Sequence, residues 1–267
     1  MADAISIRNV SKTFGGKRGL LGRRSHEVKA VTDVSLSLKQ GETLSIVGES
    51  GSGKSTLARM VVGLETPTSG RIEIAGKDAG ALVAEGPRAF GQMIQYVFQD
   101  PVASLNPRKT IGKILEAPLM LLKGYDAPTR KHRMGALMDA VEMPADALDR
   151  YPHEFSGGQA QRIAIARALA AEPRIIVLDE PVSALDVSVQ AQVLVLLENL
   201  RTEFELSYLF ISHDLAVVES ISDRVAVMYF GELVEIGTAD QLFSNPQHDY
   251  TKKLISSATR LDTVSGR

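Results

Sequence analysis

Residues 48–56 read GESGSGKST, three glycines interleaved with serines and followed by Lys54, Ser55 and Thr56. The run fits G-x-x-x-x-G-K-[ST], in which glycines let backbone N–H groups wrap an anion. Gly48, Glu49, Ser50, Gly51, Ser52, Gly53, Lys54, Ser55 and Thr56 are therefore the candidate cradle for a nucleotide's phosphates. Lys54 would reach the β- and γ-phosphates, and the Ser55 hydroxyl would ligate Mg²⁺. A helix opening at about Lys54 would add the positive end of its dipole beneath the same phosphates. The competing reading is a glycine-rich turn that holds nothing, and the context favours the phosphate site: an apolar run before it, an apolar-periodic helix after it.

Three further groups have the right chemistry to act on such a ligand. Residues 174–179 (RIIVLD) form a continuous apolar strand of the buried parallel kind that ends in Asp179 and Glu180. Carboxylates at the C-terminal end of a core strand sit where open α/β sheets bind ligands. Asp179 suits Mg²⁺ ligation, and Glu180 suits orienting and deprotonating a water for attack on the γ-phosphate; a surface acidic pair is the alternative. A second buried strand, 207–212 (SYLFIS), delivers His213, which could hydrogen-bond the γ-phosphate and hold the attacking water. His26, His132, His153 and His248 have no such placement and read as structural or solvated. Finally, Ser156, Gly157, Gly158 and Gln159 open a helix running to about residue 171, a second bared helix N-terminus suited to phosphate, or else a capped surface helix. Phe14 fits either a nucleobase stack or the core.

The elements that must position these residues follow from periodicity. Residues 4–14 and 27–38 alternate apolar and polar, which predicts half-buried strands of a small antiparallel sheet. Between them lies a basic loop, 15–26, with Lys17, Arg18, Arg23, Arg24, His26, Leu20 and Leu21, either a solvated insertion or a contact for a partner or lipid headgroups. Residues 71–76 and 92–98 read as strands, and 100–108, with two prolines and Asn106, as a loop. From 110 to 150 the spacing turns helical, with Pro118 and Pro128 expected to break the insert into segments. Residues 187–204 read as an amphipathic helix, 224–229 and 232–236 as a hairpin closed at Gly231, and the tail from 238 as helical with a break at Asn245-Pro246.

Bulk composition narrows the class. At 267 residues with 44% hydrophobic content the chain can bury a substantial core. Thirty basic against 32 acidic residues give a formal charge of −2, without the broad positive field of a general nucleic-acid binder. The absence of cysteine excludes disulfides, thiolate metal sites and thiol catalysis. The N-terminal MADAISIRNVSK carries no apolar signal core, and no run approaches the roughly 18 apolar residues that would span a bilayer. Any membrane role is expected to come through a partner.

Taken in order, GESGSGKST, Gln99, FSGGQ (155–159), IIVLDE (175–180), SALD (183–186) and His213 resemble the motif series of an ABC transporter ATP-binding subunit over nearly the whole chain. The resemblance implies a P-loop NTPase (RecA-like) α/β core with an antiparallel β subdomain and an inserted α-helical subdomain. It assigns 1–100 and 172–237 to the core with its β subdomain, 101–171 to the helical subdomain and 238–267 to a helical tail. It also implies Phe14 stacking on adenine, Gln99 sensing Mg²⁺ and water, and Asp186 arranging a dimer interface. The Ser156–Gln159 helix would cap the γ-phosphate of ATP bound by an opposite, head-to-tail subunit. Glu180, His213, Lys54 and Gln99 become the expected catalytic set, and Ser55, Gln99 and Asp179 the expected Mg²⁺ ligands. Phe14 stands where many members carry tyrosine, and Phe155 where leucine begins the usual signature.

The stretches FGGKRGLLGRR, FQDPVASLNPR (98–108), YPHEFSGG (151–158) and NPQHDYTKKLISS (245–257) further resemble the dipeptide/oligopeptide/nickel importer group. That group implies a second ATPase subunit, transmembrane permeases, an extracytoplasmic solute-binding protein acting through them, and a place at the cytoplasmic face of the membrane. A nickel or other small-solute importer of the same group, and a soluble ABC ATPase outside transport, remain the alternative expectations.

Overall fold

The computed structural model describes residues 3–15 and 27–264. The basic loop expected over 15–26 falls, beyond Gly15, outside the described residues. The chain forms two compact units, Met1–Gly80 with Ile211–Arg267, and Ala81–Phe210.

In the first unit the alternating stretches become strands Asp3–Phe14 and Val28–Lys39, paired antiparallel with Ile5 opposite Leu38 and Ile7 opposite Leu36. Ser69–Ile74 pairs with the other edge of Asp3–Phe14, and the two-residue strand Lys77–Asp78 follows it. Alternation sends Ile5, Ile7, Val34, Leu36 and Leu38 inward, which is why this four-stranded sheet has one buried face.

A second set of strands in the same unit carries the glycine-rich loop. Thr43–Val47 is buried at every position and lies parallel to Arg224–Tyr229, Ile46 opposite Ala226. Arg224–Tyr229 turns at Gly231 into Glu232–Thr238, its antiparallel neighbour. Polar groups fix this arrangement at its base: the Thr43 amide donates to Asp223 Oδ2 (2.7 Å), and Arg224 Nη1 donates to the buried Glu42 carboxylate (3.1 Å). Behind the strands, Leu215–Ile221, Ala239–Ser244 and Asp249–Val264 supply helical cover, and Val47, Val225, Val227, Leu215, Val218, Leu242 and Tyr250 form a common core.

In the second unit Ile94–Val97 runs parallel to Ile175–Asp179, whose other neighbour is Ser207–Ile211. Every residue of the last two strands is buried, as continuous apolar runs in a parallel sheet require. Around them lie Ile111–Leu121, Ala127–Ala140, Gly157–Leu169 and Val187–Glu203, capped by Thr110, Asp126, Ser156 and Asp186 respectively.

Three local expectations are corrected. Pro118 does not break the insert: it sits inside Ile111–Leu121, and its carbonyl accepts from the Leu122 and Lys123 amides. The helix ends further on, where Gly124 takes φ +72° and Asp126 caps the next helix with Pro128 in its first turn. The strand expected from residue 92 begins at Ile94, because Pro87 opens a helix that runs to Met93. The stretch 100–108 is not wholly loop, since Asp100 accepts from the Ala103 amide (2.9 Å) and caps one turn, Pro101–Ser104. Among the described residues no helix is long and apolar enough to cross a membrane.

The junction from Thr43–Val47 to the helix Lys54–Val61 is where sequence identity is most tightly dictated. Gly48 has φ +147°, and a Cβ there would lie 2.2 Å from the Met228 carbonyl oxygen; Gly53 has φ +100°, and a Cβ would lie 2.3 Å from the Ala30 carbonyl oxygen. Both obstacles are backbone of neighbouring strands and have no rotamer with which to move aside. Gly53→Ala should therefore cost about 2–4 kcal/mol, the sum of left-handed strain and overpacking. Ile46→Ala, which only empties a buried position on the adjoining strand, should cost about 2–5 kcal/mol. Urea unfolding of the two variants checks both values; a Gly53→Ala protein as stable as the parent would contradict the crowding.

Candidate active site

The loop between Val47 and Lys54 folds over its own lysine. Lys54 Nζ donates to the carbonyls of Gly48 (2.6 Å) and Glu49 (2.8 Å), and its side chain is almost wholly buried. Both acceptors are main-chain carbonyls of the loop itself, so the glycine-rich turn fixes where the ammonium lies. The helix Lys54–Val61 that follows has Gly53 at its cap and no side chain bonded there. With no capping side chain in the way, the positive end of its dipole opens on the loop, the arrangement that suits phosphate.

The loop is braced from outside by residues that sequence reasoning missed. The Gly231 amide donates to the Ser52 carbonyl (3.0 Å), and the Glu49 amide donates to the Tyr250 hydroxyl (3.1 Å). Tyr250 lies in the 245–257 stretch already singled out, but no periodicity in the sequence announces a contact across 201 residues. Phe14 ends its strand opposite Val28, partly exposed, with Lys12 Nζ 4.8 Å from its ring centroid. His213 leaves the end of Ser207–Ile211 between Ser212, whose amide donates to the Ile46 carbonyl (3.3 Å), and Asp214, which caps the helix Leu215–Ile221. The first unit thus carries Phe14, the loop 48–56 and His213.

The second unit gathers the remaining candidates. Asp179 ends the buried strand and accepts from the Tyr96 hydroxyl (2.5 Å), a partner on the adjacent strand that was not foreseen, although alternation places Tyr96 and Phe98 on one face. The next residue, Glu180, takes φ +49°, a sparsely populated region for a long side chain. Its carbonyl is captured by Ser183 N (3.3 Å) and Oγ (3.1 Å), and its carboxylate accepts from Gln99 Nε2 (2.9 Å). Gln99 and Glu180, 81 positions apart in sequence, are therefore brought together, the amide orienting the carboxylate.

Ser156 and Gln159 form a reciprocal capping box: the Gln159 amide donates to Ser156 Oγ (3.4 Å) and the Ser156 amide to Gln159 Oε1 (3.0 Å). Asp186 caps Val187–Glu203 through Val189 N (3.0 Å) and accepts from Ser188 Oγ (2.7 Å). The Ser188 hydroxyl and the Val189 amide hold its carboxyl below the usual carboxylate range. It stays ionised as a helix N-cap should.

The expected Mg²⁺ donors are a hydroxyl (Ser55), a carboxylate (Asp179) and an amide (Gln99), all oxygen ligands of the hard kind this cation takes. Among the described residues no group of three or more His, Cys, Asp and Glu side chains is placed to hold a metal. The donor set fits a cation carried mainly by phosphate oxygens and water, with one or two side chains completing the shell.

Comparison with known proteins gives the family. The ABC transporter family model matches residues 31–183, and a second, the oligopeptide/dipeptide transporter C-terminal region, matches 234–266. The chain is 51% identical over 261 residues to the dipeptide transport ATP-binding protein DppF of Haemophilus influenzae, covering 98% of this chain and 79% of that one. To the oligopeptide transport ATP-binding protein AppF of Bacillus subtilis it is 52% identical over 254 residues, covering 95% and 77%. Among solved structures, the ATP-binding cassette MJ0796, a dimer in a post-hydrolysis state bound to ADP and phosphate, superposes with a TM-score of 0.76 at 31% identity, covering 88% of this chain and 98% of that one. With a matching family model over more than half its length and relatives of about 50% identity along nearly all of it, the chain belongs to the ATP-binding subunits of the ABC transporter family.

Proposed function

We propose that this chain is the Mg²⁺-dependent ATPase subunit of an ABC importer, and that its hydrolysis of ATP drives uptake of di- or oligopeptides through partner permeases. The observation that carries the reading is the loop 48–53, whose Gly48 and Gly53 admit no Cβ and whose lysine donates to loop carbonyls at a helix N-terminus with no side-chain cap. A peptide as cargo is supported by the match of 234–266 to the oligopeptide/dipeptide transporter C-terminal region and by the names of the relatives.

In this reading the loop amides and Lys54 bind the triphosphate, and Phe14 stacks on the adenine. Magnesium, when bound, offsets charge on the phosphates; Ser55, Asp179 and Gln99 are the residues that would hold it. Glu180 accepts the proton of the attacking water, Gln99 orients that water through its bond to the carboxylate, and His213 donates to the γ-phosphate. Catalysis is then mainly positioning and charge neutralisation, as phosphoryl transfer requires. In a head-to-tail pair the Ser156–Gln159 helix end, made rigid by its capping box, serves the nucleotide of a second subunit, and Asp186 shapes that interface; that MJ0796 is a dimer supports the pairing of two subunits. The subunit works at the cytoplasmic face of the membrane, attached through its permeases, with a solute-binding protein acting on the far side.

Glu180→Gln keeps the size of the side chain and an oxygen to accept from Gln99, but it removes the base. Phosphate release should fall at least about 100-fold while equilibrium binding of Mg·ATP is retained. Turnover equal to that of the parent would dismiss Glu180 as the base.

A further inference from the structure

The C-terminal region contributes one group to the phosphate loop, and the geometry gives that group a specific task. The peptide joining Gly48 to Glu49 is held at both ends: its N–H donates to the Tyr250 hydroxyl (3.1 Å), and its C=O accepts from Lys54 Nζ (2.6 Å). We propose that Tyr250 is a positioning residue of the phosphate site, fixing this peptide so that its carbonyl sets where the Lys54 ammonium rests. The proposal rests on the reading of 48–56 as the triphosphate cradle and extends it to a residue outside the loop.

Three observations show that the hydroxyl is aimed rather than incidental. Tyr250 is 8% exposed, in a core with Val47, Val227 and Leu242, and its ring stacks on Tyr229 at 4.0 Å between centroids. A ring without the oxygen would fill the same space, so what the hydroxyl adds is its bond to the loop. The backbone before it is tied down: Glu235 accepts from the Gln247 (2.8 Å) and His248 (2.9 Å) amides, and His248 Nδ1 accepts from the Tyr250 amide (3.1 Å). Burial also pushes the phenol pKa up, which keeps it neutral beside Glu49. The bonds on either side of one peptide polarise each other, so the phenol strengthens the carbonyl that receives Lys54.

Tyr250→Phe removes only the oxygen. On the full chain, calorimetric titration with Mg·ATPγS should show the dissociation constant raised about three- to tenfold, the value of one hydrogen bond. The KM for ATP should rise by the same factor with kcat held within about twofold, and the melting midpoint without nucleotide should scarcely move. Lys253→Ala, an exposed position on the same helix, should leave all of these unchanged. The titration is run well below both midpoints, so a destabilised variant still reports its affinity. An unchanged dissociation constant, or a loss confined to stability and kcat, would make Tyr250 a packing residue and overturn the proposal. If the parent chain itself failed to bind Mg·ATPγS, the reading of the loop would fall, and the proposal with it.

Discussion

The structure depends on a steric constraint between backbone segments: the chain must turn out of Thr43–Val47 where the Met228 and Ala30 carbonyls leave no room for a side chain. Glycine at 48 and 53 resolves the conflict, and the same absence of side chains lets a ligand approach the loop backbone closely. The hairpin that crowds the loop also supports it, since Met228 lies against Gly48 while the Gly231 amide bonds to Ser52. That hairpin is in turn set by Arg224, Glu42 and Asp223 at the base of the strands. A short run of residues is thus made rigid by contacts from sequence positions almost 200 residues away.

The second unit uses a different device for its acidic pair. A strand with no exposed residue ends at Asp179, and the chain reverses at once through Glu180 in a left-handed conformation that its carbonyl bonds to Ser183 sustain. Strain of about 1–3 kcal/mol at such a residue persists only where surrounding structure over-determines it. Here the strand and the Ser183 turn do so, and the Gln99 bond then orients the carboxylate. The chemistry assigned to Glu180 therefore follows from where a buried strand stops and what the next four residues can hold.

The strands and the loop were legible because their signals are local. Alternation marked Asp3–Phe14 and Val28–Lys39, apolar continuity marked Ile175–Asp179 and Ser207–Ile211, and the Gly231 turn marked the closing hairpin. Pro118 misled because a proline costs one helical bond, and the buried faces of Ile114, Leu115 and Leu119 outweigh that loss. The short helices Ala79–Glu85 and Leu215–Ile221 were missed because seven residues give too few turns for a period to show. Gln99 was legible from the motif series, but its bond to Glu180, the Tyr96 hydroxyl on Asp179 and the Tyr250 hydroxyl on the loop are tertiary contacts that no spacing encodes.

The central claim is that a triphosphate is bound by the backbone of 48–56. Amide hydrogen exchange with and without Mg·ATPγS tests it most directly, because it reads the same N–H groups that are said to do the binding. The account predicts that the peptides covering the loop and the first turn of Lys54–Val61 slow strongly on adding nucleotide, and that Lys54→Ala abolishes this protection. Protection confined to other segments, with exchange in 48–56 unaltered, would contradict it.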